Sequence, residues 1–166
     1  MILPLPAPQA PAQALSQPQP AAVTAAAARR PVRAQYAWSY EAADANGSGT
    51  LSLLMDPAGG RLVLEIHSYG ERVAFLSGDA AGGYRLQIPK EGKDLSSPSL
   101  AELPLPFLPD VKSVDALLTA LERGEGPGLT VLKRGDGAPL KLRYKSLDEK
   151  GESILLWLTR KRWETP

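Results

Sequence analysis

Glu65 and His67 are the residues of this sequence whose types and spacing come closest to a site for acid–base catalysis or metal binding. They lie two positions apart in the alternating apolar and polar segment 61–67, and side chains two apart on a β-strand point to the same side of the sheet. His67 is the only histidine of the chain. Because one histidine without a partner set makes a weak site, we interpret the pair as part of the solvated face of a strand.

The sequence also lacks motifs for nucleophilic catalysis or phosphate binding. Cysteine is absent, which excludes disulfides, thiolate metal sites and cysteine nucleophiles. Ser48 lies between two glycines, but no strand-to-helix turn surrounds it as in a nucleophile elbow. The glycine-rich stretches 59–60, 82–83 and 124–128 lack phosphate-loop spacing and are interpreted as turns. We therefore expect no enzyme activity, no metal site and no cofactor, and the question becomes what this protein binds.

Composition divides the chain into two parts. Of its 166 residues, the first 31 hold 7 of the 16 prolines, together with 10 alanines, 4 glutamines and no acidic or aromatic residue. Proline fixes backbone angles and removes amide donors, and so little apolar area cannot offset the entropy of ordering. We predict a disordered Pro/Ala/Gln-rich tether over residues 1–34 and a single domain over residues 35–166.

The N-terminal part bears on localisation. Residues 12–14 have the small-x-small form of a signal cleavage site, but no positive charge precedes them and the apolar stretch before them is short and interrupted by prolines. A linker behind a removed signal or anchor fits this composition better than a complete signal peptide. The longest apolar run, Ile154 to Leu158, is far shorter than the ~20 residues that span a bilayer. We expect a protein of the periplasm or cell envelope.

The domain is predicted to open with short antiparallel strands. Residues 50–55 and 61–67 alternate apolar and polar side chains on either side of an Asp-Pro-Ala-Gly-Gly turn at 56–60, which predicts a hairpin with one apolar face. Residues 72–77 and 84–88 are predicted to be the next two strands.

A proline-rich interruption and one helix follow. Residues 90–99 are predicted to be a polar loop, and the Leu-Pro-Leu-Pro-Phe-Leu-Pro segment 103–109 can form neither a helix nor a central strand. Ser113 is predicted to cap a short helix that Gly124 ends. The apolar residues of that helix, spaced at i, i+3, i+4 and i+7, are Val114, Leu117, Leu118 and Leu121.

Three more strands, 129–133, 140–145 and 153–163, complete the predicted domain. The last is apolar on both faces between residues 154 and 158, so something should cover each side. Because the loops are of hairpin length, the predicted fold class is mainly β (α+β). We expect a strongly curved antiparallel sheet or incomplete β-barrel of about 7–9 strands, with the helix and the Leu/Pro-rich segment over its concave face.

One short helix cannot cover both faces of such a sheet, so the apolar side chains between sheet and helix are predicted to line a cavity. A cavity of this kind suits a flexible hydrophobic ligand such as an acyl chain, whereas a solid core is the alternative that the same residues allow. The predicted lining consists of Leu51, Leu53, Met55, Leu62, Leu64, Ile66, Phe75, Leu105, Phe107, Leu108, Leu117, Leu121 and Trp157.

Charge is unevenly distributed although the formal net charge is only +1. Residues 133–162 hold 9 Lys and Arg against 4 Asp and Glu, whereas residues 35–132 hold 7 against 13. The first segment predicts a face that docks on anionic lipid headgroups or an acidic partner, and a solvated outer sheet face is the alternative. The low net charge predicts no nucleic-acid partner. The residues of the predicted docking face are Lys141, Arg143, Lys145, Arg160 and Arg162.

Several segments resemble the LolA/LolB-type lipoprotein carriers of bacterial envelopes in strand order and hydrophobic pattern, over residues 36–163. Members of that family have an incomplete, curved β-barrel closed by helices, whose cavity holds the acyl chains of lipoproteins in transit. The segments that carry the resemblance are SGTLSL (48–53), RLVLEI (61–66), ERVAFLSGDAAGGYRLQIP (71–89), LPLPFLP (103–109) and APLKLRYKSL with ILLWLTRKRW (138–163).

The resemblance implies a lipid-binding transport chaperone that performs no covalent chemistry. The lipid-anchored members carry an N-terminal cysteine, which this chain lacks, so the resemblance favours a soluble carrier. We expect a monomer whose partner is a lipid or a lipidated protein, with envelope proteins or an anionic membrane surface as further candidates. The alternative is a structural or interaction β-module of a larger envelope complex, in which another chain covers the two-sided apolar last strand.

Overall fold

The computed structural model of this protein describes residues 29–105, 108 and 111–166, which form one nine-stranded antiparallel sheet and one α-helix. The strands are β1 (Val32–Glu41), β2 (Asn46–Asp56), β3 (Arg61–Ser68), β4 (Glu71–Asp79), β5 (Gly83–Ile88), β6 (Lys93–Ser97), β7 (Leu129–Lys133), β8 (Lys141–Leu147) and β9 (Ser153–Glu164). The helix α1 is Val114–Arg123, and two short 3-10 turns span Pro89–Glu91 and Leu100–Glu102.

The strand order is β6-β5-β4-β3-β2-β1-β9-β8-β7, so the first and last strands of the domain pair in the middle of the sheet. Strands β6 and β7 are its two edges and do not pair with each other in the described part of the chain, which leaves the sheet unclosed. The prediction of a mainly β fold built on an open antiparallel sheet with one helix is confirmed.

The β2–β3 hairpin forms as its alternation predicts. Leu53 lies opposite Leu64, so the apolar residues of both strands share one face. The turn is stabilised by the Asp56 carboxylate, whose Oδ1 accepts a hydrogen bond from the backbone amide of Ala58 at 3.1 Å.

The buried core lies on one face of the sheet. Alternate residues of β1 to β5, β8 and β9 join the apolar side of α1 in one cluster of buried side chains. Strands from opposite ends of the strand order can share one cluster with a single short helix only if the sheet curves around it.

Helix α1 begins and ends as the sequence predicts. The Ser113 side chain accepts a hydrogen bond from the backbone amide of Ala116 at 3.0 Å, which satisfies one of the free amides of the first turn. Gly124 takes the left-handed conformation, with φ of 74°, and its amide bonds to the Ala120 carbonyl at 2.7 Å. The four apolar residues predicted to face the core are all buried: Val114, Leu117, Leu118 and Leu121.

Two elements differ from the predictions. Residues 90–99, expected to be a polar loop, contain strand β6, which pairs along β5 with Leu95 opposite Leu86. An edge strand is held by its backbone ladder and tolerates polar side chains, so no hydrophobic alternation marks it. Strand β1 begins at Val32, before residue 35 where the sequence places the start of the domain, and the expected tether over residues 1–28 lies outside the described residues.

Within the ranges given above, no helix is both long and apolar enough to cross a membrane.

Candidate functional site

A partly enclosed cavity of about 520 Å³ opens at one end of the curved sheet. Its wall is mostly apolar, and its residues with polar side-chain groups are two lysines, one glutamate, one serine and one tyrosine. The lining residues are Tyr40, Val73, Ala74, Ile88, Lys90, Glu91, Lys93, Pro104, Leu105, Ser146 and Ile154.

The antiparallel register explains why these residues meet. Tyr40 and Ile88 lie near the ends of β1 and β5, whereas Ile154 lies near the start of β9. In an antiparallel sheet the end of one strand and the start of its neighbour lie at the same edge. Because β4 to β6 and β8 with β9 all border this cavity, the two halves of the sheet approach each other here.

A β-bulge widens the apolar wall on β4. Ile66 lies opposite Ala74 but His67 lies opposite Arg72, so Val73 is the extra residue of β4 at this point. A bulge redirects side chains from strict alternation. As a result two consecutive residues, Val73 and Ala74, both line the cavity.

The charges at the mouth are paired with each other. Lys90 Nζ lies 3.4 Å from Glu71 Oε2, and Lys93 Nζ lies 2.9 Å from Glu91 Oε2. These ion pairs are solvent-exposed and contribute little to stability. The mouth is therefore close to neutral, and attraction for a guest must come from the apolar wall.

Most of the predicted lining residues lie in the packed core instead of the cavity wall. Leu105 is the member of that set that borders the cavity. Nine others, each at most 4% exposed, pack against one another and α1: Leu51, Leu53, Met55, Leu62, Leu64, Ile66, Leu108, Leu117 and Leu121.

Two other members of the set, Phe75 and Trp157, lie on the outer face of the sheet. The Phe75 ring is half-buried there beneath Arg72, whose guanidinium carbon is 4.7 Å from the ring centroid. Ala74 and Leu156 occupy the inward positions beside them. Phe107, which was also predicted to line the cavity, lies outside the described residues.

Two buried tyrosines, Tyr36 and Tyr144, belong to the core cluster on the inner face of the sheet. Burial raises the pKa of Tyr144 to about 12 and raises that of Tyr36 as well. The Tyr36 hydroxyl is completely buried and has no hydrogen-bond partner among the described residues. Both phenols stay neutral over the physiological range, and the Arg160 guanidinium lies beside Tyr36.

The predicted docking residues divide between the two faces. Lys141, Arg143 and Lys145 share the outer face of β8, beside Thr159, Trp157 and Leu155 of β9. We call Lys141, Arg143, Lys145, Leu147, Leu155 and Trp157 the basic–apolar face. The other two predicted residues, Arg160 and Arg162, lie on β9 outside this set.

Arg160 and Arg162 are separated by a bulge in the β1–β9 pairing. Arg160 lies opposite the inward-facing Tyr36, and its Nη1 donates to the Ala138 carbonyl at 2.7 Å. Arg162 lies opposite Gln35 on the outer face, with its Nε 3.5 Å from Glu164 Oε1. Arg160 therefore holds the segment before β8 and does not belong to the outer surface.

The Glu65 and His67 pair lies on the outer face with both side chains partly exposed. His67 Nε2 is 3.9 Å from Glu65 Oε2, and Arg72 Nη1 is 3.8 Å from Glu65 Oε1. Across the described residues no three His, Asp or Glu side chains gather in a group that could hold a metal ion. The interpretation of this pair as a surface charge cluster stays the simplest.

The sequence analysis missed most of the cavity wall, including Tyr40, Ile88, Ser146 and Ile154. These residues lie where strands begin or end. The register of the hairpins is the feature of the sequence that could have brought them together. Aligning the strands through their turns places these four ends at one edge of the sheet.

Comparisons with known proteins leave the family open. A scan against protein-family models finds none that matches this chain, and a search of curated proteins finds no significant match.

Proposed function

We propose that this protein is a non-enzymatic carrier or binder of acyl chains, from a lipid or a lipidated protein, in the periplasm or cell envelope. The observation that carries the proposal is the cavity of about 520 Å³ at one end of the sheet. Ligand-binding cavities fall in the range of about 300–1,000 Å³ and are predominantly apolar with a few polar groups.

The chemistry of the wall favours a hydrocarbon guest. Val73, Ile88, Leu105 and Ile154 are apolar and only half-buried, so a guest that covers them removes apolar surface from water. The lysines at the mouth are already paired with glutamates. An acyl chain fits such a site better than a small charged metabolite, which would need unpaired ions or buried hydrogen-bonding groups.

The resemblance to LolA/LolB-type carriers supports the same proposal. In those carriers an open curved sheet with a helical cover holds acyl chains, and the described part of this chain combines an open antiparallel sheet with one helix.

The direct test measures what the purified full chain binds. We expect organic-solvent extraction followed by mass spectrometry to recover fatty-acyl lipid, and a fluorescent fatty-acid probe to bind in proportion to protein. Recovery of no lipid, together with no probe binding, contradicts the proposal.

A matched pair of variants locates the binding. We expect Ile154→Glu to weaken probe binding by about tenfold or more, because the ionised carboxylate faces the cavity wall. Val63→Glu places the same change at a half-buried position on the outer face of β3 and should leave probe binding unchanged. Circular dichroism of both variants checks the fold. If the two substitutions change probe binding equally, the probe binds outside this cavity.

A further inference from the structure

The outer side of β8 and β9 combines cations with apolar side chains in one patch. Lys141, Arg143 and Lys145 occupy successive outward positions of β8, so they are spaced by ~7 Å. Leu155 and Trp157 lie directly opposite Lys145 and Arg143 on β9. Leu147 continues the outward row of β8 and is 65% exposed.

The cations of this face have no partners in the described part of the chain. Lys141, Arg143 and Lys145 form no ion pair or side-chain hydrogen bond there, and the Nε of Arg143 is buried without an acceptor. On the other half of the sheet, by contrast, Arg85 Nη2 lies 2.6 Å from Asp94 Oδ2. Lys90 is likewise paired with Glu71. Three cations without an ion pair among the described residues therefore lie in one row on the basic–apolar face.

A groove of about 400 Å³ runs beside Trp157 on this face. Small side chains of Ala37, Ser39 and Thr159 line it, and Lys141 stands at its border. The ring of Trp157 thus borders open space with a cation at its side. Tryptophan and lysine in such proximity suit the boundary between lipid headgroups and acyl chains.

We propose that the basic–apolar face docks the protein on the surface of a bilayer that contains anionic lipids. Each Lys or Arg near such a surface contributes attraction for its negative potential, and Trp157 and the leucines enter the interfacial layer. The protein's net charge of +1 gives no strong overall attraction, so this local patch sets the orientation. Carboxylates lie at two borders of the face: Glu41 opposite Leu155, and Asp148 with Glu152 in the turn after Leu147.

The shape of the face favours a bilayer over a nucleic acid. The patch lies on the outer side of a curved sheet, opposite the buried core. Base reading in duplex DNA places a helix or a β-ribbon within a groove, which an outward-curving sheet face cannot supply. Binding to a membrane surface requires only an exposed patch that can lie against it. This inference concerns the outside of the sheet and does not depend on the cavity.

The test uses the full chain with vesicles of phosphatidylcholine, with and without phosphatidylglycerol. We expect binding to the phosphatidylglycerol vesicles that weakens as salt is added, because salt screens exposed charges. Lys141→Gln with Lys145→Gln, both at exposed positions, should reduce partitioning by about thirtyfold, which corresponds to ~1 kcal/mol per cation. The matched control, Arg61→Gln with Arg85→Gln, removes two charges from the outer face of the other half and should change partitioning by less than about twofold.

A second measurement reports contact by the apolar part of the face. Brominated lipids should quench the tryptophan fluorescence of the wild type, and Trp157→Phe should remove most of that quenching although Trp38 and Trp163 remain. Equal loss of partitioning in the two double variants overturns the proposal. It is also overturned if the wild type does not bind phosphatidylglycerol vesicles, whether it binds duplex DNA, an acidic polypeptide, a second copy of itself or none of these.

Discussion

The middle of the concave side of the sheet is closely packed, whereas its open end contains a cavity, although the same kind of strand forms both regions. In the middle, Leu62, Leu64, Leu118 and Leu121 are at most 1% exposed. At the end, half-buried side chains such as Ile154 surround about 520 Å³ of open volume. The difference shows that apolar alternation alone does not decide between core and cavity.

Element length accounts for the difference. Helix α1 has 10 residues and is therefore about 15 Å long, whereas β9 has 12 residues and extends roughly 40 Å. The helix can fill the concave side over part of the strands' length only. Beyond the helix, half-buried side chains of the described residues border the cavity.

The largest expected effect contrasts one residue from each region. Leu64→Ala should lower the free energy of unfolding by about 2–5 kcal/mol, because it leaves a void in a filled core. Ile154→Ala should cost only about 1 kcal/mol, because its side chain already borders open space. Urea unfolding of both variants measures the difference. Similar losses would mean that the cavity end is packed as tightly as the middle, and the comparison would fail.

An intermediate effect concerns how far the solid interior extends towards the cavity. Tyr144 is the inward residue of β8 that precedes Ser146 of the cavity wall, and burial raises its pKa from 10.0 to about 12. Because the pKa of Tyr144 is higher in the folded than in the unfolded protein, its neutral hydroxyl is fully compatible with the fold below pH 10. The free energy of unfolding then decreases as the pH rises to about 12. The expected loss is about 2–3 kcal/mol.

The matched variant is Tyr144→Phe, which keeps the ring and removes the titrating hydroxyl. Its free energy of unfolding should fall less than that of the wild type between these pH values, with Tyr36 and Tyr84 as the remaining buried phenols whose pKa is raised. Urea unfolding on both sides of pH 10 gives the comparison. If both proteins respond equally, water reaches Tyr144 and the hollow region extends further along β8.

The smallest expected effect tests the helix that fills the middle. Ser113→Ala removes the side-chain acceptor for the Ala116 amide and should cost about 1 kcal/mol, whereas Ser113→Asp should retain the cap. Fatty-acid probe binding should not change in either variant, because the cavity wall contains no residue of α1. A loss of probe binding in Ser113→Ala alone would show that the helix end also supports the cavity.

Local patterns predicted those elements whose signals lie within a few residues. The β2–β3 hairpin follows from its alternation and its Asp-Pro turn, and α1 follows from Ser113, Gly124 and the spacing between them. Phe75 and Trp157 lie in runs of consecutive apolar residues. In such a run both faces of the strand are apolar, so the alternation could not assign these two side chains to the inner or the outer face. The β6 strand carries no apolar pattern because an edge is held by backbone hydrogen bonds.

The sequence by itself determined a β-rich domain with one amphipathic helix, the register of its clearest hairpin and the concentration of cations near its C-terminal strands. Only the tertiary structure decided which apolar residues lack partners, because that depends on where a short helix ends against long strands. It also decided that Lys141, Arg143 and Lys145 lie beside Trp157 while Arg160 turns inward, through pairing of β9 with β8 and a bulge against β1. Such contacts join residues far apart in the chain, and no local pattern records them.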